Sequence, residues 1–362
     1  MFTRIAIGDE AELSQERRSD FDVTNTVRVS SVSQTSAAVR HLFEQQYPST
    51  PSDSLWIAFH DFHQLFNGNM PGYHAVDTSF HDIQHTLDMT LALARLIVGY
   101  ENSVTKENRL GPERAFFAIA CALFHDAGYI RHRERDSHAV NGAIFTTTHV
   151  TRSGKFLEAY LPKIGLEDFV DTVSRVVHYT GYEIPLDEIE LDDPRDEMAG
   201  YLLGTADLLA QMADRCYLEK CRDRLYPEFV LGEVAVNLEA TGSHAMYQSG
   251  QDLLHKTIDF YQQSAHKRLQ GSFRHAYRYL EKVFENDLNP YMMFIDKNMA
   301  FVEKIRKDGD WKALRRRPPC IMPDPNGEAR VMTLALGRLR EISNIERQNS
   351  RRLKVLDMSQ FQ

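Results

Sequence analysis

Little in this chain of 362 residues turns it sharply or staples it together: there are 19 glycines, 13 prolines, 4 cysteines and 2 tryptophans. So few glycines and prolines exclude a many-stranded β protein with a tight turn every few residues. Cys121, Cys216, Cys221 and Cys320 form no CxxC pair, and Cys121 lies inside an apolar run. Reduced thiols in a cytosolic setting are therefore expected. No apolar stretch approaches the roughly 18 residues that a membrane span needs. The start, MFTRIAIGDEAEL, has no long apolar core of the secretion-signal kind, so a cytoplasmic protein without membrane contact is expected. Positive charge is also short: the net charge is −9. That disfavours broad binding to a nucleic acid polymer or an anionic membrane. Glycine-rich phosphate loops are missing too. The hydrophobic fraction of 43% and charged fraction of 26% remain those of a globular protein.

What is present is helical periodicity. Residues 1–35 are polar and read as a loosely held N-terminal arm. From Ser36, HLFEQQY and LWIAFHDFHQLF carry apolar residues three and four apart. After the loop NGNMPGYHAVDTS, Ser79 can cap a helix bearing Ile83, Leu87, Leu91 and Ala94 on one face. Pro112 opens a nearly all-apolar helix that Gly128 is expected to close. Further helices are expected around 139–149, 153–161, 167–178 and 195–220, and again in FRHAYRYLEKVFENDL and PYMMFIDKNMAFVEKIRK. The expected fold is all-α, a helical bundle with its main body over 36–312. A basic turn, LRRRPP, and an amphipathic helix fill 313–362. Its stripe of Val331, Leu334, Leu336, Leu339 and Ile342 must be covered by its own body or by a second copy, and a homodimer is expected.

Ten of the 15 histidines lie between His60 and His178. His81 and His85 are four apart at a helix start and share a face. His125-Asp126 closes the most apolar helix, His149 and His178 sit at later helix ends, and Asp207 lies within YLLGTADLLAQM. Each comes from a different helix or helix end, as in metal sites built in bundle cores. Asp207, beside Leu203 and Leu208–Leu209, would be costly as an unpaired buried carboxylate, and a divalent cation removes that cost. Imidazole with carboxylate suits Mg, Mn, Fe or Zn. Arg131, after HDAGYI, could receive a substrate phosphate. Tyr129, Tyr179 and Tyr182 could stack on a base.

The order His85, His125-Asp126, Asp207 resembles the signature of the HD-domain metal-dependent phosphohydrolases over roughly residues 71–229. FHDIQHTLDMT is similar to the YHNxxHAxDV stretch of cyclic-nucleotide phosphodiesterases, and TADLL to the segment carrying their last aspartate ligand. This resemblance implies His81 as general acid and His85 as a metal ligand. HVTRSGKFL resembles the HPxxGxxIL stretch of HD-GYP phosphodiesterases, with His149 and His178 as ligands of a second metal. The chain departs from that branch at Tyr129, where it has lysine, and in HYTGYEIP, which lacks the tandem histidine and the GYP. Together these resemblances imply two divalent ions. His85, His125, Asp126 and Asp207 would hold one, and Asp126, His149 and His178 the other. The implied activity is hydrolysis of a small phosphate ester, a (cyclic) nucleotide phosphodiester foremost. The same ligand types also resemble those of the mixed-valence di-iron oxygenases of that superfamily. A third reading is a nucleotide-sensing HD module without catalysis.

Overall fold

The computed structural model describes residues 2–8, 13, 17–235 and 246–358, with side chains as far as 344. The fold is all-α, as the sequence predicts. Its helices are α1 (Val32–Gln46), α2 (Asp53–Phe66), α3 (Ile83–Glu101), α4 (Gly111–Phe124), α5 (His149–Tyr160), α6 (Val170–Val177) and α7 (Pro194–Ala213). There follow α8 (Tyr217–Lys220), α9 (Tyr226–Leu231), α10 (Gly250–Phe260), α11 (Pro290–Asp308) and α12 (Gly327–Met358). Among the described residues, the strand-like pairings are two isolated bridges, Ile5 with Phe284 and Tyr73 with His132. No helix of the described residues is long and apolar enough to cross a membrane.

Helix α3 is the axis of the fold. All of its residues are buried, and it packs on α1, α4 and α7. Burial on every side obliges its polar groups to find partners inside. Thr90 donates to the carbonyl of Thr86 at 2.7 Å, and Glu101 accepts the amide of Leu110 at 2.7 Å. Arg95 donates to Asp22 at 2.7 Å and to the Tyr291 hydroxyl at 2.8 Å. Helix α4 supplies the opposing apolar wall, with Phe116 to Phe124 buried throughout.

Several boundaries differ from expectation. Residues 17–31 are not a loose arm: Val23 and Val29 are buried in the core and Asp22 pairs with Arg95 inside it. The cap of α3 is Asp82 rather than Ser79. Helix α4 ends at Phe124, before Gly128, and the expected helix at 139–149 is a short 3-10 turn, Gly142–Phe145. FRHAYRYLEKVFENDL folds largely as 3-10 turn, at Ala276–Lys282. The stripe on α12 is covered by its own chain. Val331, Ala335 and Ile342 are buried, the last two beside Val230 and Ala235, while Leu336 stays exposed.

Removing Asp22 would leave the Arg95 guanidinium charged and unpaired by carboxylate in the core. Asp22→Ala is expected to cost about 3–5 kcal/mol in urea unfolding. A loss under about 1 kcal/mol would show that the 17–31 segment is not anchored through this pair.

Candidate metal centre

Three local devices bring the central side chains together. Asp82 Oδ1 accepts the backbone N–H of His85 at 3.0 Å, capping α3 and fixing its first turn. His125 follows α4 directly, and its Nδ1–H donates to the Ala122 carbonyl at 2.8 Å. This orients the ring so that Nε2 faces inward, the nitrogen that becomes a ligand once it loses its proton. Asp207 comes from the middle of α7.

The side chains meet closely. His125 Nε2 lies 3.1 Å and His85 Nε2 3.5 Å from Asp126 Oδ2. Asp207 Oδ1 is 3.3 Å from His85 Nε2 and 4.0 Å from His125 Nε2. Ligand atoms of His85, His125 and Asp207 all fall within 4.8 Å of one another. Asp126 Oδ2 is fully buried and makes no hydrogen bond. An orphaned carboxylate oxygen facing imidazole nitrogens is costly in a dry interior. A divalent cation fits this donor set, because it takes both nitrogen and oxygen ligands.

The electrostatics of these groups are tightly coupled. Burial favours the neutral imidazole at His125, but Asp126 outweighs it and holds the ring protonated up to about 9. Burial likewise opposes ionisation of Asp126, yet His125 and His81 keep its carboxyl well below the usual range. At His149 burial dominates and lowers the pKa, so that ring is neutral, as a ligand must be.

His149 opens α5. Its Nδ1–H donates to the Thr146 carbonyl at 2.8 Å, and its Nε2 lies 3.8 Å from Asp126 Oδ1. Glu183 holds this helix end by accepting the amides of Val150 at 2.7 Å and Thr151 at 3.0 Å. His178 is placed differently from its expected role. Its Nδ1 donates to the Ser174 carbonyl, and its Nε2 sits 3.1 Å from the Thr151 hydroxyl and 3.8 Å from Glu183. With both nitrogens engaged, His178 supports the end of α5 rather than facing Asp126.

His81 lies just before α3 rather than within its first turn. Its Nδ1 bonds Glu228 Oε2 at 2.6 Å, while Glu228 Oε1 accepts the Phe80 amide at 2.5 Å. Burial pushes the ring toward neutrality, but the Glu228 charge prevails and raises its pKa. Tyr129 packs against both His81 and His149, with ring centroids 4.5 and 4.4 Å away, and those two histidine rings are 6.1 Å from each other. Neither expected substrate contact is at the centre. Arg131 pairs with Asp77 at 2.7 Å and donates to the Ala139 carbonyl. Tyr179 is buried against Tyr201 and Phe273. Glu228 and Glu183 were not singled out in the sequence. Each is an acid within an otherwise apolar or aromatic stretch, YPEFVL and TGYEIP, and that was the available signal.

Above these groups opens a cavity of about 660 Å³, lined by His81, His85, His125, Asp126, His149 and Asp207 and by a wide apolar wall from α7 to α10. That volume suits a small-molecule ligand.

Residues 68–287 match the family model described as Npun_R2479-like. The chain belongs to the Npun_R2479-like family. No curated protein and no solved structure matches it. The matched stretch of this Npun_R2479-like protein contains His81 through Glu228, hence every residue of the centre, and leaves out α12.

One glycine sets the approach of the His125-Asp126 segment to α5. A Cβ on Gly128 would stand 1.9 Å from the backbone oxygen of His149. Gly128→Ala is therefore expected to cost more than about 2 kcal/mol in denaturant unfolding. Gly337→Ala, which meets nothing within 4 Å on α12, is expected to be neutral or slightly stabilising by the same measurement. Equal effects at the two positions would show that the close approach does not hold the centre together.

Proposed function

We propose that this Npun_R2479-like protein is a metal-dependent phosphoester hydrolase, with phosphodiesters the foremost substrates. The observation that carries the reading is the His81–Glu228 pair, a carboxylate-backed imidazole turned to the same cavity as the His85, His125, Asp126 and Asp207 cluster. The order of those ligands along the chain, with its resemblance to HD-type phosphohydrolases, supports it.

In this reading His85, His125, Asp126 and Asp207 hold one divalent cation. Asp126 Oδ1 and His149 Nε2 offer two ligands to a second. When bound, such ions supply an acidified water and a Lewis acid for the phosphoryl oxygens. The rest is done by side chains. Glu228 accepts from Nδ1 of His81 and favours the imidazolium. His81 then gives its Nε2 proton to the departing ester oxygen, which would otherwise leave as a basic alkoxide. Tyr129 fixes the plane of that ring against His149. Oxygen activation has no evident use for this proton donor, which favours hydrolysis over the oxygenase alternative.

Two measurements test the reading. Protein purified without chelator is expected to carry a divalent metal, lost in His85→Ala and Asp126→Ala and retained in His178→Ala, by elemental analysis. Metal content unchanged in His85→Ala would overturn the assignment.

Activity on a phosphodiester with an alkoxide leaving group is expected to fall by about 10²-fold or more in His81→Ala, with metal retained. The loss should be smaller for a p-nitrophenolate leaving group, which needs no proton. Because Glu228 raises the His81 pKa, activity should decline as pH rises through that raised value. Glu228→Gln should move the decline to lower pH. A basic limb that stays in place would remove His81 from the acid role.

A further inference from the structure

The wall of the cavity carries information about what fills it. Beyond the metal centre it is formed by Phe80, Leu208, Tyr217, Phe229, Tyr247 and Leu253, among others. Polar side chains are present on it, and apart from the hydroxyls of Thr147 and Tyr247 most of their donors are already committed. Thr146, Thr180 and Thr257 each donate to a backbone carbonyl of their own turn, those of Ala143, Val177 and Leu253. The hydroxyls of Tyr182 and Ser264 bond each other at 2.9 Å. Gln211 turns its amide nitrogen toward Asp207.

Charge is equally scarce. Among the described lining residues Lys256 is the one permanent cation, and it is held by Asp252 at 3.0 Å and by the Met246 carbonyl at 2.5 Å. Beside the wall Arg268 stacks on Tyr182 at 3.6 Å, and among the described residues a ligand with several phosphates would find little other counter-charge. A nucleobase would find few open partners, those of Thr147, Tyr247 and Gln211, and would bury its remaining ring nitrogens and exocyclic groups against apolar side chains. Each unpaired polar atom of that kind costs binding, and this is how a pocket rejects a substrate it cannot match. Apolar surface, by contrast, gains from burial here in proportion to its area.

We infer that the cavity takes a phosphoester with a single phosphate and a bulky hydrocarbon body, alkyl or aryl, in preference to a nucleotide. This rests on the hydrolase reading for its phosphate end, which lies at the metal centre. The hydrocarbon end lies along the wall between α7, α9 and α10.

Alkylphosphonates of increasing chain length, which carry the anion and no cleavable ester, separate the two ends. Titrated calorimetrically into the full-length metal-loaded protein, they are expected to tighten by roughly fourfold per added methylene until the cavity is filled. Phe260→Ser, at a partly exposed position on the rim, should flatten that dependence with the fold intact by circular dichroism. In parallel, kcat/KM for hexyl and phenyl phosphodiesters should exceed that for cyclic AMP and cyclic GMP by tenfold or more. Affinity independent of chain length, or cyclic nucleotides as the better substrates, would overturn the inference while leaving the hydrolase reading standing. A steep chain-length dependence with none of these esters cleaved would instead support the apolar site and sink the hydrolase reading.

Discussion

Asp126 and Asp207 place two carboxylates inside a helical core, and the surrounding structure is arranged around that cost. A buried carboxylate must be paired, protonated or bound to a cation. Protonation is opposed at Asp126, whose neighbours keep it ionised. Pairing comes from imidazoles rather than from arginine or lysine, and this choice is specific. An imidazole can surrender its proton and become a ligand, whereas a guanidinium cannot. His125 and His149 each spend Nδ1–H on a backbone carbonyl three residues earlier, so each presents Nε2 inward. The same device, repeated at the end of α4 and the start of α5, orients donors from opposite sides of Asp126.

The rigidity of α3 follows from the same economy of charge. A helix buried on all sides cannot leave a polar group unmatched, and its far half is locked by Arg95 between Asp22 and Tyr291. Nearer the centre, Asp88 lies one turn beyond His85 and is fully buried. Burial first, then the charge of Asp214, pushes its pKa up to about 8. The carboxylate that Asp88 meets is thus Asp214, at the end of α7, and Arg17 and Lys220 offset the pair.

The all-α fold and the clustered histidines and aspartates were legible because each is local in sequence. Apolar spacing of three and four marks α3, α4 and α7, and a histidine or aspartate at the end or middle of such a run stands out against it. What the sequence could not show were the pairings that span the chain. Glu228 meets His81 at a separation of 147 in residue number, and an acid inside YPEFVL announces no partner. The partners of His178 were hidden for the same reason. Its place at a helix end matched that of His149, but Thr151 and Glu183 claim its ring, and only the packing of α5 on α6 decides this. The N-terminal residues read as a loose arm because their composition is polar. Yet Val23 and Val29 are buried, and Asp22 is the counter-ion that Arg95 requires.

The arrangement also explains why an apolar wall and an ionic centre can share one cavity. Interactions among charges strengthen where water is excluded, and so does the penalty for leaving one unmatched. Phe80 is held by Glu228 through its backbone amide, and the adjacent His81 by the other oxygen of the same carboxylate. One buried acid thus fixes both an apolar wall residue and the polar group facing the cavity. Tyr129 extends the coupling, since its ring contacts both His81 and His149 and lies fully buried behind them. Under the proposed chemistry, a hydrocarbon body that displaces water from the wall lowers the dielectric around the His81–Glu228 pair. Binding of the inert part of the substrate would then strengthen the pair that keeps His81 protonated, which links the composition of the wall to the behaviour of the centre.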